Sequence, residues 1–185
     1  MRYLALSVAA GALALAACAG HGKRLPPPIP PVSGDVQTAF ALRYIDVAKG
    51  AGTPVQPRKC LYAHYTGWLT DGRKFDSSRD TMPNGQPRTP ISFPQGARRV
   101  IAGWDLGFEG MKVGGKRRLF IPYQLAYGER GRLPVIPPKA ELIFDVELMA
   151  VADTLPTPPV VTPPPARAPQ GPACPTWDAV KPTAP

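Results

Sequence analysis

The sequence predicts an α+β fold, a twisted antiparallel β-sheet wrapped around one short α-helix, with disordered proline-rich ends. Three observations predict it. Of the 26 prolines in 185 residues, 5 lie in 26–31 and 11 in 156–185, so both ends are too poor in packable side chains for a core, while the stretch between them has one domain's worth of chain. The clearest internal pattern is the strict alternation of Glu141–Met149, with Leu142, Phe144, Val146 and Leu148 on one face and Asp145 and Glu147 on the other. Helical spacing of large apolar residues occurs in one short segment, Val100–Met111, through Ile101, Trp104 and Phe108.

In chain order, Met1-Arg2 precedes an apolar run, residues 3–17, too short for a comfortable membrane span but matching the core of a secretory signal peptide. It ends in Leu15-Ala16-Ala17-Cys18, which looks like the lipobox of bacterial lipoproteins. The reading is a signal peptide over 1–17 and a lipidated Cys18, opening a proline-rich spacer over 18–35 that holds polyproline II geometry and lifts the domain off the bilayer. Acyl chains on Cys18 would anchor the protein outside the cytoplasm. Ala19 in place of Asp favours the outer membrane of a Gram-negative envelope, facing the periplasm.

The domain is assigned to 36–152. Phe40–Ala48 reads as a strand closed by the turn Gly50–Pro54; Cys60–Leu69 is aromatic and β-rich, and Asp71-Gly72 turns it back into Arg73–Phe75. Residues 117–121 make a third strand, a further strand contains Phe93, and 141–149 closes the sheet. Glycines 103, 107 and 110 weaken the single helix, which must be held by packing onto the sheet. The tail, 153–185, reads as disordered, although Trp177 beside Cys174 marks a point where it could dock.

The net charge is +9, from 22 basic and 13 acidic residues, but no long basic run exists and the secretory address weighs against nucleic acid as a partner. The sequence has no Gly-x-Ser-x-Gly elbow, phosphate loop, Cys-x-x-Cys or His-Glu-x-x-His. Of the two histidines, His21 lies in the spacer and His64 is one place from Tyr65, on the opposite face of its strand. No cofactor and no metal are implied. An enzyme built from these residues would have to work by binding geometry.

Five blocks, in order, do carry a signature: His64-Tyr-Thr-Gly-Trp-Leu-Thr-Asp-Gly-Arg-Lys-Phe-Asp-Ser-Ser78, Val100-Ile-Ala-Gly-Trp-Asp-Leu-Gly107, Met111–Arg118, Leu125-Ala-Tyr-Gly128 and Ile136–Leu148. Together they resemble the FKBP family of peptidyl-prolyl cis-trans isomerases over about 110 residues. The resemblance implies a catalytic pocket of Tyr65, Phe75, Asp76, Trp104, Tyr127 and Phe144, with Val100, Ile101, Ile91 and Ile136 as further substrate contacts. It implies that the Ile101 amide and the Tyr127 hydroxyl hold substrate carbonyls, that proline-containing polypeptides are the substrates, and that macrolides such as tacrolimus bind. Taken singly, Phe75, Val100 and Phe144 also read as plain core, and Asp76 as a turn-former.

The chain departs from the family in a longer connection, Thr81–Pro90, and in Ile91 where many members place an aromatic. Arg130 and Arg132 at the rim suggest a preference for acidic flanking residues. Cys60, opposite Tyr65 by alternation, and Cys174 form a possible disulfide in an oxidising compartment. The short spacer lacks the long helical region through which related lipoproteins dimerise, so a monomer on a tether is expected. Two other readings stay open: a peptide-binding or chaperone lipoprotein with little isomerase activity, and an envelope protein whose business lies in its tail.

Overall fold

The computed structural model describes residues 26, 28–39, 41–155 and 173–182. The segment read as a signal peptide, Cys18 and most of the tail lie outside these residues. Seven strands, β1 Val36–Ala39, β2 Leu42–Ala48, β3 Cys60–Leu69, β4 Lys74–Ser77, β5 Ile91–Pro94, β6 Lys116–Ile121 and β7 Leu142–Ala152, form one antiparallel sheet in the order β1-β2-β6-β7-β3-β4. One edge of β3 is shared: β5 pairs its first half, from Cys60 to Ala63, and β4 its second, from Thr66 to Trp68. The connection between β4 and β5 leaves the sheet as a small hairpin with a Thr81–Pro87 bridge.

Alternation decides which face each strand buries. Leu61, Ala63, Leu69, Leu119, Ile121, Leu142, Phe144, Val146 and Leu148 share the main core, and the Leu142–Leu148 series is the one read from sequence. Against this face lies α1, Ala102–Gly107, shorter than the Val100–Met111 segment expected. Its glycines permit close contact: a Cβ at Gly103 would sit 2.3 Å from Ile121 Cγ2, and one at Gly107 2.7 Å from Leu119 Cδ1. Its end is set by Arg117, a buried residue whose Nη1 donates to the carbonyls of Gly107 (2.7 Å) and Glu109 (3.0 Å). Asp46 accepts from Arg117 Nε at 2.7 Å, and Tyr44 lies under the guanidinium at 4.0 Å.

The strand read at Phe40–Ala48 is β2, Leu42–Ala48; β1, Val36–Ala39, comes before it and pairs with it antiparallel. The outer face of the sheet is covered at both ends by the chain's own flanks. Ile29 is buried against Trp68 and Ile143, so the distal part of the proline-rich spacer packs on the domain instead of standing free of it. At the other end, Cys174 is paired with Cys60 as a disulfide with Cα atoms 5.4 Å apart. There Tyr62 Oη donates to the Pro175 carbonyl at 2.6 Å, and Trp177, which opens the short helix α2 (Trp177–Val180), lies 5.9 Å from the Tyr62 ring. Residues 173–182 therefore dock, at the point that Trp177 beside Cys174 marked within the proline-rich tail.

Candidate active site

The inner face between β3, β4, β7 and α1 gathers aromatic side chains around Trp104. α1 begins at Ala102, so Trp104 sits in its first turn and points onto the sheet. Its ring lies 5.0 Å from Tyr65, 5.3 Å from Phe144 and 5.6 Å from Phe93, and Phe75 meets Phe144 edge-on at 5.4 Å. Edge-to-face geometry of this kind fixes ring orientation as well as burying area. Trp104 and Phe144 are buried, while Tyr65, Phe75 and Tyr127 are half-buried, each offering part of a ring to solvent. The floor is Gly67: a Cβ there would meet Phe75 Cζ at 2.6 Å and Phe144 Cε1 at 2.8 Å.

Polar groups ring this apolar surface. Tyr65 Oη donates to Asp76 Oδ2 at 2.5 Å, and Asp76 Oδ1 accepts from the Ser77 amide at 2.9 Å. Asp76 thus does both things read for it, satisfying a local backbone donor and engaging a pocket residue. Burial, reinforced by the Asp76 carboxylate, pushes the Tyr65 phenol far above its ordinary range, so it stays a donor at any physiological pH. Among the described residues the Ile101 amide donates no hydrogen bond, and neither does the indole N–H of Trp104.

The structure brings the sequence-derived residues together. Trp104, Phe144 and Ile136 belong to one buried cluster, against which Tyr65, Phe75, Ile91, Val100, Ile101 and Tyr127 pack partly buried. Ile91 opens β5 opposite Ala63. Of the two rim arginines, Arg132 stacks over the Tyr127 ring at 5.9 Å, while Arg130 is exposed. His64 lies on the outer face, where its Nδ1 is 3.0 Å from Ser78 Oγ. Three contributors escaped the sequence reading: Phe93 beneath Trp104, Gly67 as floor, and Arg88. The longer β4–β5 connection carries Arg88, whose Nη1 reaches Asp76 Oδ1 at 3.4 Å and the Ser77 carbonyl at 3.3 Å. Only Gly67 had a readable signal, a glycine inside an aromatic strand.

Comparison with known proteins gives the family of the domain. Residues 52–149 match the model of the FKBP-type peptidyl-prolyl cis-trans isomerase family. An FK506-binding protein of Neisseria meningitidis is 50% identical over 106 residues, covering 57% of this chain and 92% of that protein. FK506-binding protein 4 of Dictyostelium discoideum is 48% identical over 122 residues, 66% of this chain but 31% of that longer one. Among solved structures, FkpA from Escherichia coli superposes with a TM-score of 0.55 at 39% identity, over 64% of this chain and 52% of that one. A peptidyl-prolyl cis-trans isomerase from Pseudomonas syringae gives 0.55 at 31% identity, over 64% and 81%.

With more than half of its length matched, the chain belongs to the FKBP-type peptidyl-prolyl cis-trans isomerase family. Its folded domain is an isomerase domain of that family.

Proposed function

We propose that this protein accelerates rotation about X-Pro bonds in proteins of the cell envelope, and that the cluster around Trp104 is where it does so. The observation that carries this is the half-exposed aromatic surface beside an unpartnered Ile101 amide. An X-Pro amide turns over a barrier of about 18–20 kcal/mol because twisting forfeits resonance. The twisted amide has less charge separation than the planar one, so an apolar site that displaces water binds it better than the ground state.

In this reading the proline ring lies on Trp104, walled by Tyr65, Phe75 and Phe144. The Ile101 N–H and the Tyr127 hydroxyl donate to substrate carbonyls on either side of the bond, which orients the peptide. Asp76 holds the Tyr65 hydroxyl and transfers no proton. Arg132 above Tyr127 and Arg88 beside Asp76 place positive charge at two points of the rim, and peptides with acidic flanks are favoured accordingly. Proline-containing chains, with tacrolimus-like macrolides as competitors, are the ligands proposed.

The same proposal sets the protein on the periplasmic side of the outer membrane, as a monomer held by acyl chains on Cys18 with the Cys60–Cys174 disulfide formed. The test is cis-trans exchange of a Leu-Pro peptide by purified residues 19–185 carrying Cys18→Ser. Acceleration that tacrolimus blocks is the expected result. A folded sample that accelerates nothing would overturn the proposal and leave a peptide-binding module.

A further inference from the structure

We infer that the segment about Ile29 and Pro30 is a docked strap that shortens the tether and turns the outer face of the sheet toward the bilayer, so that the proline pocket opens away from it. The inference rests on the reading of Cys18 as the lipid anchor.

The strap is held by both apolar and polar contacts. Ile29, 5% exposed, fills a recess made by Trp68 and Ile143, with Phe120 packed alongside. These three side chains alternate with the core-facing residues of β3, β7 and β6, so the recess lies on the outer face. Beside it, Arg118 is 0% exposed. Its Nε and Nη2 grip Asp145 at 2.5 and 2.6 Å, and its remaining arm, Nη1, donates to the Pro30 carbonyl at 2.6 Å. A buried guanidinium leaves a donor unsatisfied unless something covers it; here the strap supplies the acceptor. Val32, further along, lines a groove with Val47, His64, Arg79, Lys116 and Glu147.

Chain length turns this contact into geometry. If the spacer were free up to Val36, the 18 steps from Cys18 would reach about 60 Å fully extended. With the strap docked, only the 8 steps from Cys18 to Pro26 remain, about 28 Å. Docking halves the reach and fixes where the tether leaves the domain, beside Trp68 on the outer face. The sheet then stands between the bilayer and the Trp104 pocket, and incoming chains approach from the side facing the periplasm.

The test uses the lipidated full chain on phosphatidylethanolamine–phosphatidylglycerol vesicles, with a donor dye on Glu129→Cys beside Tyr127 and an acceptor on the lipid headgroups. Ile29→Asp should expel the strap and lower energy transfer, because the maximum reach doubles. Ile29→Ser serves if Ile29→Asp does not fold, and an eight-residue Gly-Ser insertion after Gly20 calibrates the loss that a longer tether gives. Transfer unchanged in the Ile29 variants, with the protein in the vesicle pellet, would overturn the strap. A wild-type protein that never pellets with vesicles would instead overturn the anchor reading, and the orientation with it. Trp68 fluorescence separates the two: a change of its emission in Ile29→Asp without any lipid reports docking, because Ile29 packs on that ring.

Discussion

At the scale of single residues, the site works through close approach and orientation. Gly67 illustrates the first: adding one methyl drives a Cβ into the Phe75 and Phe144 rings. Gly67→Ala is expected to lower stability by about 1–3 kcal/mol, the usual cost of overpacking, and to reduce kcat/KM further than stability alone explains; thermal unfolding and peptide exchange on one sample check both. Asp76 illustrates the second. Asp76→Ala frees the Tyr65 hydroxyl, and losing one orienting hydrogen bond of about 1 kcal/mol predicts a fall in kcat/KM of roughly five- to tenfold with the fold intact. His64 acts on stability alone. Burial, then the charge of Arg79, holds its pKa below the ordinary value of 6.5. The unfolded chain therefore takes up the proton first as pH falls through about 6.5, so His64 makes the fold less stable at pH 5 than at pH 7.5. His64→Gln should flatten that part of the urea-midpoint profile, and an unchanged slope would assign it to other groups.

At the scale of elements, local pattern and long-range contact divide what the sequence could disclose. β3 and β7 were legible because each carries its own alternation, and β4 because Asp71-Gly72 marks the turn before it. The helix was over-read: Ile101, Trp104 and Phe108 keep helical spacing, but Arg117 from β6 caps the carbonyls of Gly107 and Glu109, a contact that spacing does not encode. β1 was missed because Val36–Ala39 gains its character by pairing with β2. The proline-rich strap was misread for a related reason. Composition implied an extended polyproline II run over Pro26–Pro31, but the Ile29 amide bonds back to the Pro26 carbonyl in a turn, and a single Ile29 facing an outer recess is enough to dock it. Alternation did place Cys60 opposite Tyr65, where Cys174 reaches it. Replacing both cysteines by Ala should cost about 2–4 kcal/mol by reopening a loop of 114 residues, read as a fall in Tm with no loss of peptide exchange, because the bond lies on the face away from the pocket.

At the scale of the molecule, one sheet separates two jobs. Its inner face, with α1 laid on it, builds the aromatic site; its outer face receives both flanks of the chain. The residues of the aromatic cluster were named by blocks that keep the family's order, and the structure brings those blocks to one place. Arg88 was not legible, since nothing in the Thr81–Pro90 connection says where its side chain returns. As proposed, rotation is catalysed by tighter binding of the twisted amide, with no proton transferred. The most direct test is kcat/KM for an X-Pro peptide across pH 6–9, measured in both H2O and D2O. Binding-driven catalysis predicts a flat profile and a solvent isotope effect near one, because the Tyr65 phenol stays protonated throughout and no other pocket group need change state. A bell-shaped profile with a clear isotope effect would contradict the account and make an acid or base of one of these residues.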